Sequence, residues 1–235
     1  VWLYQSSKIT VRDSYFYGTQ AAANTSYGVE AMMTCDDLVE NNIFEHITGS
    51  LVYGPSTGVV TANNYLVDSF RGGFPNFMNA SFTAHDSGAQ YNLVEGNIST
   101  SGFMQDFYHG TTGHHTYFRN RIISSEPSKT TNTQVVSLWT NSRYANSVGN
   151  ILGTAGYHTI YESSSVGIPG SPNTSIYVLG YGGTGNVIDP YIPYDPTVAS
   201  TLLRWGNYDT VNAAVRWLAA EIPADNAVPA NQNLP

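Results

Sequence analysis

The chain has 235 residues and a formal net charge of −8, and only 11% of its residues are charged, against about 25% in a typical globular protein. Lys8 and Lys129 are the only lysines. Phosphate binding needs clustered basic residues, so we expect no nucleic-acid partner. No run of about 18 apolar residues occurs, which predicts no membrane insertion. The single cysteine, Cys35, excludes an internal disulfide. Abundant Tyr, Gly, Ser, Thr and Asn with little charge are typical of secreted β-rich proteins, so we expect an extracellular location.

Six short segments recur along the chain and look like copies of one another. Most copies start with an apolar or β-branched residue, carry polar residues in the middle and end with an aromatic or aliphatic residue. A period that drifts from about 22 to 33 residues and is built on short β-type segments predicts stacked turns. The copies are Val11–Tyr15 (VRDSY), Val39–Ile43 (VENNI), Thr61–Tyr65 (TANNY), Val94–Ile98 (VEGNI), Phe118–Ile122 (FRNRI) and Ser147–Ile151 (SVGNI).

The repeat predicts an all-β fold, a parallel β-helix (β-solenoid) whose turns of about 22–33 residues stack about 4.8 Å apart. Asn42, Asn64, Asn97 and Asn150 occupy the same place in their copies, and we expect their amides to bond in a ladder. Arg121 takes this place in the fifth copy, so we expect the ladder to break there. The alternative is an antiparallel β-sandwich, although the Asn-Gly and Asp-Gly hairpin dipeptides are absent.

We expect residues 1–222 to form the β-helix and residues 223–235 to form an extended C-terminal tail. The opening VWLYQSSKITV already reads as a strand, so the N-terminal part of the fold is expected to be truncated. Thr201–Trp217 reads as a last turn or a cap. Phe70–Phe82 reads either as a loop anchored by its aromatic rings or as a platform for sugar rings.

Concentrated chemistry lies only between Tyr91 and Ile123, where a polar insert separates two of the copies. We expect the insert to project from a bend, and His85 and Asp86 to reach the same side from the neighbouring turn. A histidine that is oriented by a carboxylate is suited to acid–base catalysis. The candidate catalytic residues are His85, Glu95, Asp106, His109 and Arg119, and the candidate substrate-binding residues are Asp86, His114 and His115.

Glu95 and Arg119 occupy the same place in VEGNI and FRNRI, so they are expected to face each other about 5 Å apart in adjacent turns. Such a pair is either a cross-strand ion pair or part of a site. Two reactions stay open. Glycoside hydrolysis needs two carboxyl groups, for which Glu95 and Asp106 are the candidates. In β-elimination at a uronic acid, Arg119 or His109 would take the C5 proton.

No motif requires a cofactor, but two groups of side chains could bind a metal. Asp36 and Asp37 next to Glu40 could hold Ca²⁺, or they form the solvated edge of a bend. The histidine-rich group could hold Zn²⁺ or another transition metal, or its side chains stabilise the loop through hydrogen bonds. This second group consists of His85, Asp106, His109, His114 and His115.

VEGNI, the D-x-x-H-G of Asp106–Gly110 and the T-Y-F-R-N of Thr116–Asn120 follow one another in the chain. Together they resemble the right-handed parallel β-helix proteins of the pectate-lyase-like superfamily. More narrowly, they resemble large secreted bacterial β-helix proteins whose function is mostly unassigned. Arg204–Asp209 (RWGNYD) is similar to a later turn of that group. The resemblance implies a right-handed helix, but the calcium-binding acidic cluster of pectate lyases and the paired aspartates of polygalacturonases are not matched.

Two functions from different classes follow. The first is an extracellular protein that contacts a polysaccharide or cell-surface glycan, as a polysaccharide lyase or a glycoside hydrolase. The second is a non-enzymatic solenoid, such as an adhesin, spike or filament subunit, that self-associates end to end or side by side because exposed strand edges invite pairing. A groove lined by Asp106, His109, Arg119 and Glu95 would support the first, and a stable monomer would count against the second.

Overall fold

The structure, a computed structural model, describes residues 1–19, 26–163, 173–183 and 192–224. Nearly all regular structure in these residues is short β-strand, with one short α-helix, α1 (Thr197–Thr201), and one 3₁₀ turn (Ala219–Glu221). The strands are β1 Trp2–Tyr4, β2 Thr10–Arg12, β3 Tyr15–Tyr17, β4 Tyr27–Met32, β5 Thr34–Cys35, β6 Leu38–Glu40, β7 Ile43–Ile47, β8 Gly49–Tyr53, β9 Ser56–Thr57, β10 Val60–Ala62, β11 Tyr65–Ser69, β12 Phe82–Asp86, β13 Ala89–Gln90, β14 Leu93–Glu95, β15 Ile98–Ser99, β16 Phe103–His109, β17 Thr116–Phe118, β18 Arg121–Ile122, β19 Val136–Trp139, β20 Asn146–Val148, β21 Ile151–Leu152, β22 Ile160–Ser163, β23 Ser175–Tyr181, β24 Leu203–Trp205, β25 Asn207–Asp209 and β26 Ala214–Arg216.

Consecutive strands are distributed among three large sheets, and strand order within each sheet follows the chain closely. The first sheet runs β1-β4-β8-β12-β16-β19-β23-β22, and the second runs β2-β6-β10-β14-β17-β20-β24. The third runs β3-β7-β11-β15-β18-β21-β25-β26, and β5, β9 and β13 form a small fourth sheet. Among the described strands every pairing is parallel except β25 with β26, so the antiparallel sandwich considered from the sequence is wrong.

One hydrophobic core joins the three large sheets. Alternate residues of each strand point into it, as the two-residue period of a strand requires. Each large side chain that is fully withdrawn from water here contributes roughly 1.5–3 kcal/mol. The core takes Leu51, Phe82 and Phe103 from the first sheet, Val94 and Tyr117 from the second, and Phe44, Leu66 and Ile122 from the third.

A ladder of buried asparagines runs along the bend between the second and third sheets. In each step the side-chain amide of one asparagine donates to Oδ1 of the next at about 3 Å, across intervals of 22, 33, 23, 30 and 57 residues. The same side-chain amide also donates a hydrogen bond to a backbone carbonyl of the preceding copy. Each asparagine therefore provides a partner for a backbone group as well as for the next asparagine. The members are Asn42, Asn64, Asn97, Asn120, Asn150 and Asn207.

The predicted ladder is confirmed for its four asparagines, but the predicted break at Arg121 is wrong. Asn120 continues the ladder because Tyr117, and not Phe118, pairs with Val94. The fifth copy therefore starts one residue earlier than the sequence alignment placed it. Neighbouring Tyr117 and Phe118 are both aromatic, so the apolar pattern did not decide between them, and a slip of one residue moves every side chain to the other face.

The same register corrects the predicted ion pair. Glu95 lies opposite Phe118 in β17, and Arg119 follows that strand in the bend, where its backbone N–H donates to the Val148 carbonyl. The Arg119 guanidinium lies 5.8 Å from the Phe118 ring. The expectation that Glu95 and Arg119 face each other is therefore wrong.

Two further expectations are settled in the fold. Thr201–Trp217 supplies β24, β25 and β26 and so closes the series of strands in the second and third sheets. The polar insert does not project from a bend as a loop, because its first part is β16, the seven-residue strand Phe103–His109 within the first sheet. Of the tail predicted at 223–235, residues 225–235 lie outside the described residues.

Candidate functional site

A cleft of about 520 Å³ lies on the outer face of the first sheet, the face turned away from the core. Its floor includes the row Val52, Thr83 and Met104, which pair across β8, β12 and β16. These residues alternate along their strands with the core side chains. The polar and aromatic residues that line it are Tyr27, Thr48, Arg71, Phe77, Asn79, His85, Asp106, Tyr108, His109, Asn132 and Trp139.

One wall of the cleft is built by two long connections, residues 70–81 between β11 and β12 and residues 123–135 between β18 and β19. They are held together by hydrogen bonds from Lys129 Nζ to the Phe77 carbonyl at 3.1 Å and from Asn132 Nδ2 to the Met78 carbonyl at 2.7 Å. The Arg71 guanidinium lies 4.3 Å from the centre of the Phe77 ring. This wall therefore places one cationic side chain, that of Arg71, and the Phe77 ring beside the floor.

A β-bulge shapes the floor at the centre of the cleft. Ala84 pairs with Gln105, but the next pair is Asp86 with His109, so three residues of β16 lie opposite His85 alone. Bulges of this kind re-aim side chains and occur next to functional sites. Asp106 stabilises the bulge, because its Oδ1 accepts the backbone N–H of Tyr108 at 3.1 Å.

His85 and Asp106 lie side by side where the bulge begins. His85 Nδ1 lies 2.7 Å from Asp106 Oδ2, and the Asp106 side chain is 1% exposed while that of His85 is 24% exposed. A hydrogen bond at Nδ1 fixes the ring and leaves Nε2 as the nitrogen for a ligand in the cleft. The pair thus has the form of an oriented acid–base group, with the carboxylate buried and the imidazole at the surface.

The charge of this pair is set by burial and by neighbouring carboxylates. Burial of the ring lowers the pKa of His85, but the hydrogen bond and charge of Asp106, together with Asp86 and Glu30, outweigh it, so the net pKa is raised. Burial raises the pKa of Asp106, and the bond from His85 opposes that rise. Burial and the nearby Asp86 charge also raise the pKa of Glu30.

His109 lies beside this pair at the surface. Its ring centre is 4.7 Å from that of His85, and the two ring planes are perpendicular. The ring of Tyr108, which precedes His109 in β16, has its centre 5.9 Å from that of His85. Asp86, whose backbone pairs with His109, extends its carboxylate over Gly54. A Cβ at Gly54 would lie 2.7 Å from Asp86 Oδ2, so only glycine leaves this space free.

The structure does not bring the remaining sequence candidates to the cleft. Glu95 and Arg119 belong to the second sheet and the bend that follows it. The His114 ring lies between Tyr91 and Tyr144, with centroid separations of 4.7 and 5.1 Å, in a stack on another bend. His115 is 0% exposed, and burial lowers its pKa to about 4, so it is a neutral core residue here and not a surface contact for a substrate.

The acidic group considered for Ca²⁺ is engaged within the fold. Asp37 is 1% exposed, and its carboxylate accepts the Ile9 backbone N–H at 2.8 Å and the Thr34 hydroxyl. Glu40 lies 3.8 Å from the Arg12 guanidinium. Within the part of the chain that the structure describes, no three His, Cys, Asp or Glu side chains come together in a way that could hold a metal.

Sequence reasoning missed most of the cleft lining. Tyr27, Arg71, Tyr108 and Trp139 contribute to it from β4, the wall, β16 and β19. Phe70–Phe82 carries four aromatic residues, which is a signal for the wall, and Tyr108 lies inside the polar insert between Asp106 and His109. Tyr27 and Trp139 lie in segments that read as ordinary strands.

No protein-family model, curated protein or solved structure matches the chain. Among the described residues, no helix has the length and apolar character that would be needed to cross a membrane.

Proposed function

We propose that this chain is a secreted right-handed parallel β-helix protein that binds a uronic-acid polysaccharide in the cleft and cleaves it by β-elimination. The helical fold is supported by the distribution of consecutive strands among three parallel sheets and by the asparagine ladder at one bend. The handedness and the extracellular location are supported by the sequence resemblance and the composition. The function is supported chiefly by one observation, the His85–Asp106 pair in an aromatic-lined cleft.

In the proposed reaction His85 Nε2 takes the proton from C5 of a uronate residue. The electrons of that C–H bond form the C4–C5 double bond, and the C4–O bond to the next sugar breaks. His109, whose ring lies 4.7 Å from His85, gives a proton to the leaving oxygen. Arg71 on the wall neutralises the uronate carboxylate, which makes C5 more acidic, and Asp106 keeps His85 oriented and basic.

Hydrolysis is less well supported by the arrangement of carboxyl groups. It needs two carboxyl groups on either side of the scissile bond. Asp106 is buried and bonded to His85 and to the Tyr108 backbone, and Glu95 does not line the cleft. Elimination needs one base and one cation, and His85 and Arg71 both line the cleft.

The test is a depolymerisation screen on polygalacturonate, alginate and neutral xylan. Elimination produces an unsaturated product that absorbs in the ultraviolet, whereas hydrolysis produces reducing ends without that absorbance. We expect absorbance on a polyuronate with the unaltered protein, and its loss in His85→Ala and Asp106→Asn. His114→Ala, a histidine variant outside the cleft, is the matched control and should keep the activity. Reducing ends without absorbance, or full activity in His85→Ala, would contradict the proposal.

A second candidate is a structural solenoid that associates side by side, and one surface favours it. A row of side chains along the outside of the third sheet is exposed to 42–59%, and its members pair from strand to strand across β3, β7, β11 and β15. The row consists of Tyr15, Ile43, Tyr65 and Ile98, and the exposed Arg121 follows it before Ile151. Sedimentation of the unaltered protein and of Ile43→Lys/Ile98→Lys tests it, because a subunit that uses this row should assemble and the double variant should remain monomeric.

A further inference from the structure

We propose that Trp2, Tyr4 and Glu30 form a distal sugar-binding subsite, so that the ligand is a long glycan chain lying across the strands of the first sheet. This inference rests on the proposed function and extends it. The subsite lies at the end of the first sheet that is remote from Trp139, and no residue at that end takes part in the reaction described above.

The subsite lies on the same outer face as the cleft. Trp2 pairs with Glu30, and Glu30 pairs with Val52 of the cleft floor, so the three side chains stand in one row across β1, β4 and β8. Leu3, between the two aromatic residues, is 5% exposed and points into the core. The outer row of the cleft therefore continues to the first strand of the sheet.

Two exposed rings stand at this end. Trp2 is 61% exposed and Tyr4 is 41% exposed, and their ring centroids are 4.5 Å apart with planes inclined by 31°. Aromatic side chains bury large apolar areas against a flat partner, and the C–H face of a pyranose ring is such a partner. The Glu30 carboxylate on the adjacent strand supplies an acceptor for sugar hydroxyls.

A second cavity of about 410 Å³ lies at this end of the sheet, next to the cleft. Trp2 and Glu30 line this cavity, and Tyr27 lines both it and the cleft. Three strand steps separate β1 from β12, which carries His85, and at about 4.8 Å per step they span about 14 Å. A ligand that occupies both ends must therefore extend over several sugar residues, and shorter fragments at the centre do not reach Trp2.

The experiment measures affinity against chain length by calorimetry, with oligogalacturonates and oligomannuronates from disaccharide to octasaccharide. To separate binding from cleavage, every variant carries His85→Gln as background. We expect Trp2→Ala to reduce the affinity for the octasaccharide roughly tenfold more than the affinity for the disaccharide. Trp2→Phe should recover part of this loss because it keeps an aromatic ring. Trp217→Ala removes another exposed Trp outside both cavities and is the matched control, with no expected length dependence.

The outcomes separate the subsite from the proposed function. If Trp2→Ala leaves the affinity for every oligosaccharide length unchanged while Arg71→Ala reduces it, the distal subsite is overturned and the proposed function stays in place. If the His85→Gln protein without further changes binds no oligosaccharide of either kind, both proposals fail. Near-ultraviolet circular dichroism of each variant establishes that a lost affinity does not come from unfolding.

Discussion

Replacing Asn120 by Ala tests both the asparagine ladder and the register between β14 and β17 in the second sheet. Oδ1 of Asn120 accepts the backbone N–H and the side-chain amide of Asn97, both at 3.0 Å. Its own amide donates to the Val94 carbonyl at 2.8 Å and to Asn150 Oδ1 at 3.1 Å. The side chain is 1% exposed, so water does not replace these bonds in the intact fold.

The free-energy cost follows from the groups that are left without a partner. In Asn120→Ala the Asn97 backbone N–H and the Val94 carbonyl lose the side-chain partner described above, whereas the Asn97 amide keeps the Thr61 carbonyl. The Val94 carbonyl stays in the β14–β17 ladder, so the Asn97 N–H is the group left without a partner, and at about 1–3 kcal/mol for a buried group of this kind the expected loss in the free energy of unfolding is roughly 1–3 kcal/mol. That is a large part of the 5–15 kcal/mol that stabilises a typical domain.

Arg121→Ala is the matched control, because the sequence alignment placed Arg121 in the ladder and the structure places it on the exposed side of the strand. Its expected effect lies within about 0.5 kcal/mol, as for other surface substitutions. Urea unfolding followed by circular dichroism compares the two variants with the unaltered protein. If Arg121→Ala were the more destabilised variant, or if the two unfolded at the same urea concentration, the register described above would be refuted.

Three further predictions concern pH and packing. The pKa of His115 is 6.5 in an unfolded chain and about 4 in the fold, so the unfolded chain takes up a proton first as the pH falls. The free energy of unfolding should therefore fall between pH 6.5 and pH 4 by on the order of 3 kcal/mol. Urea titrations at each pH should show that His115→Leu removes this loss. The pKa of His85 is raised in the fold, so its contribution to the free energy of unfolding is complete below pH 6.5 and is lost as the pH rises through the pKa of the folded protein. Above pH 6.5 the melting temperature should therefore change less with pH in His85→Gln than in the unaltered protein. A Cβ at Gly102 would lie 2.3 Å from the Gln134 carbonyl oxygen, so Gly102→Ala should lower the free energy of unfolding by about 1–3 kcal/mol, as measured by urea unfolding.

The repeat could be predicted from the sequence because it depends on local residue types. Asn42, Asn64 and Asn97 recur at the same place in segments with similar apolar ends, and stacking requires identical side chains at one level. The register of the fifth copy could not be predicted in the same way. Tyr117 and Phe118 are both suited to an apolar position. The fold places Tyr117 in the core, and this packing involves residues far away in the chain, so the neighbouring sequence does not indicate which of the two is buried.

The candidate site could be predicted only where its residues are close in the chain. His85, Asp106 and His109 were grouped because one turn separates them in the proposed repeat, and the structure does bring them together. Arg71 and Phe77 reach the cleft from a connection whose path is fixed by contacts with residues 123–135. Such contacts join segments about 50 residues apart and leave no periodic trace in the sequence.

The chemistry of the cleft depends on an irregularity that the repeat does not contain. A regular ladder from Ala84 and Gln105 onward would set His85 opposite Asp106 and Asp86 opposite Phe107, with neighbouring side chains on alternate faces. The bulge instead sets Asp86 opposite His109 and lets Asp106 Oδ1 accept the Tyr108 backbone N–H, while Asp106 Oδ2 bonds to His85, which would be its neighbour in either register. The same two additional residues carry His109 to the surface beside the His85 ring. The His85–Asp106 pair is therefore compatible with regular stacking, whereas the backbone bond that holds Asp106 and the second exposed imidazole follow from one local departure from it.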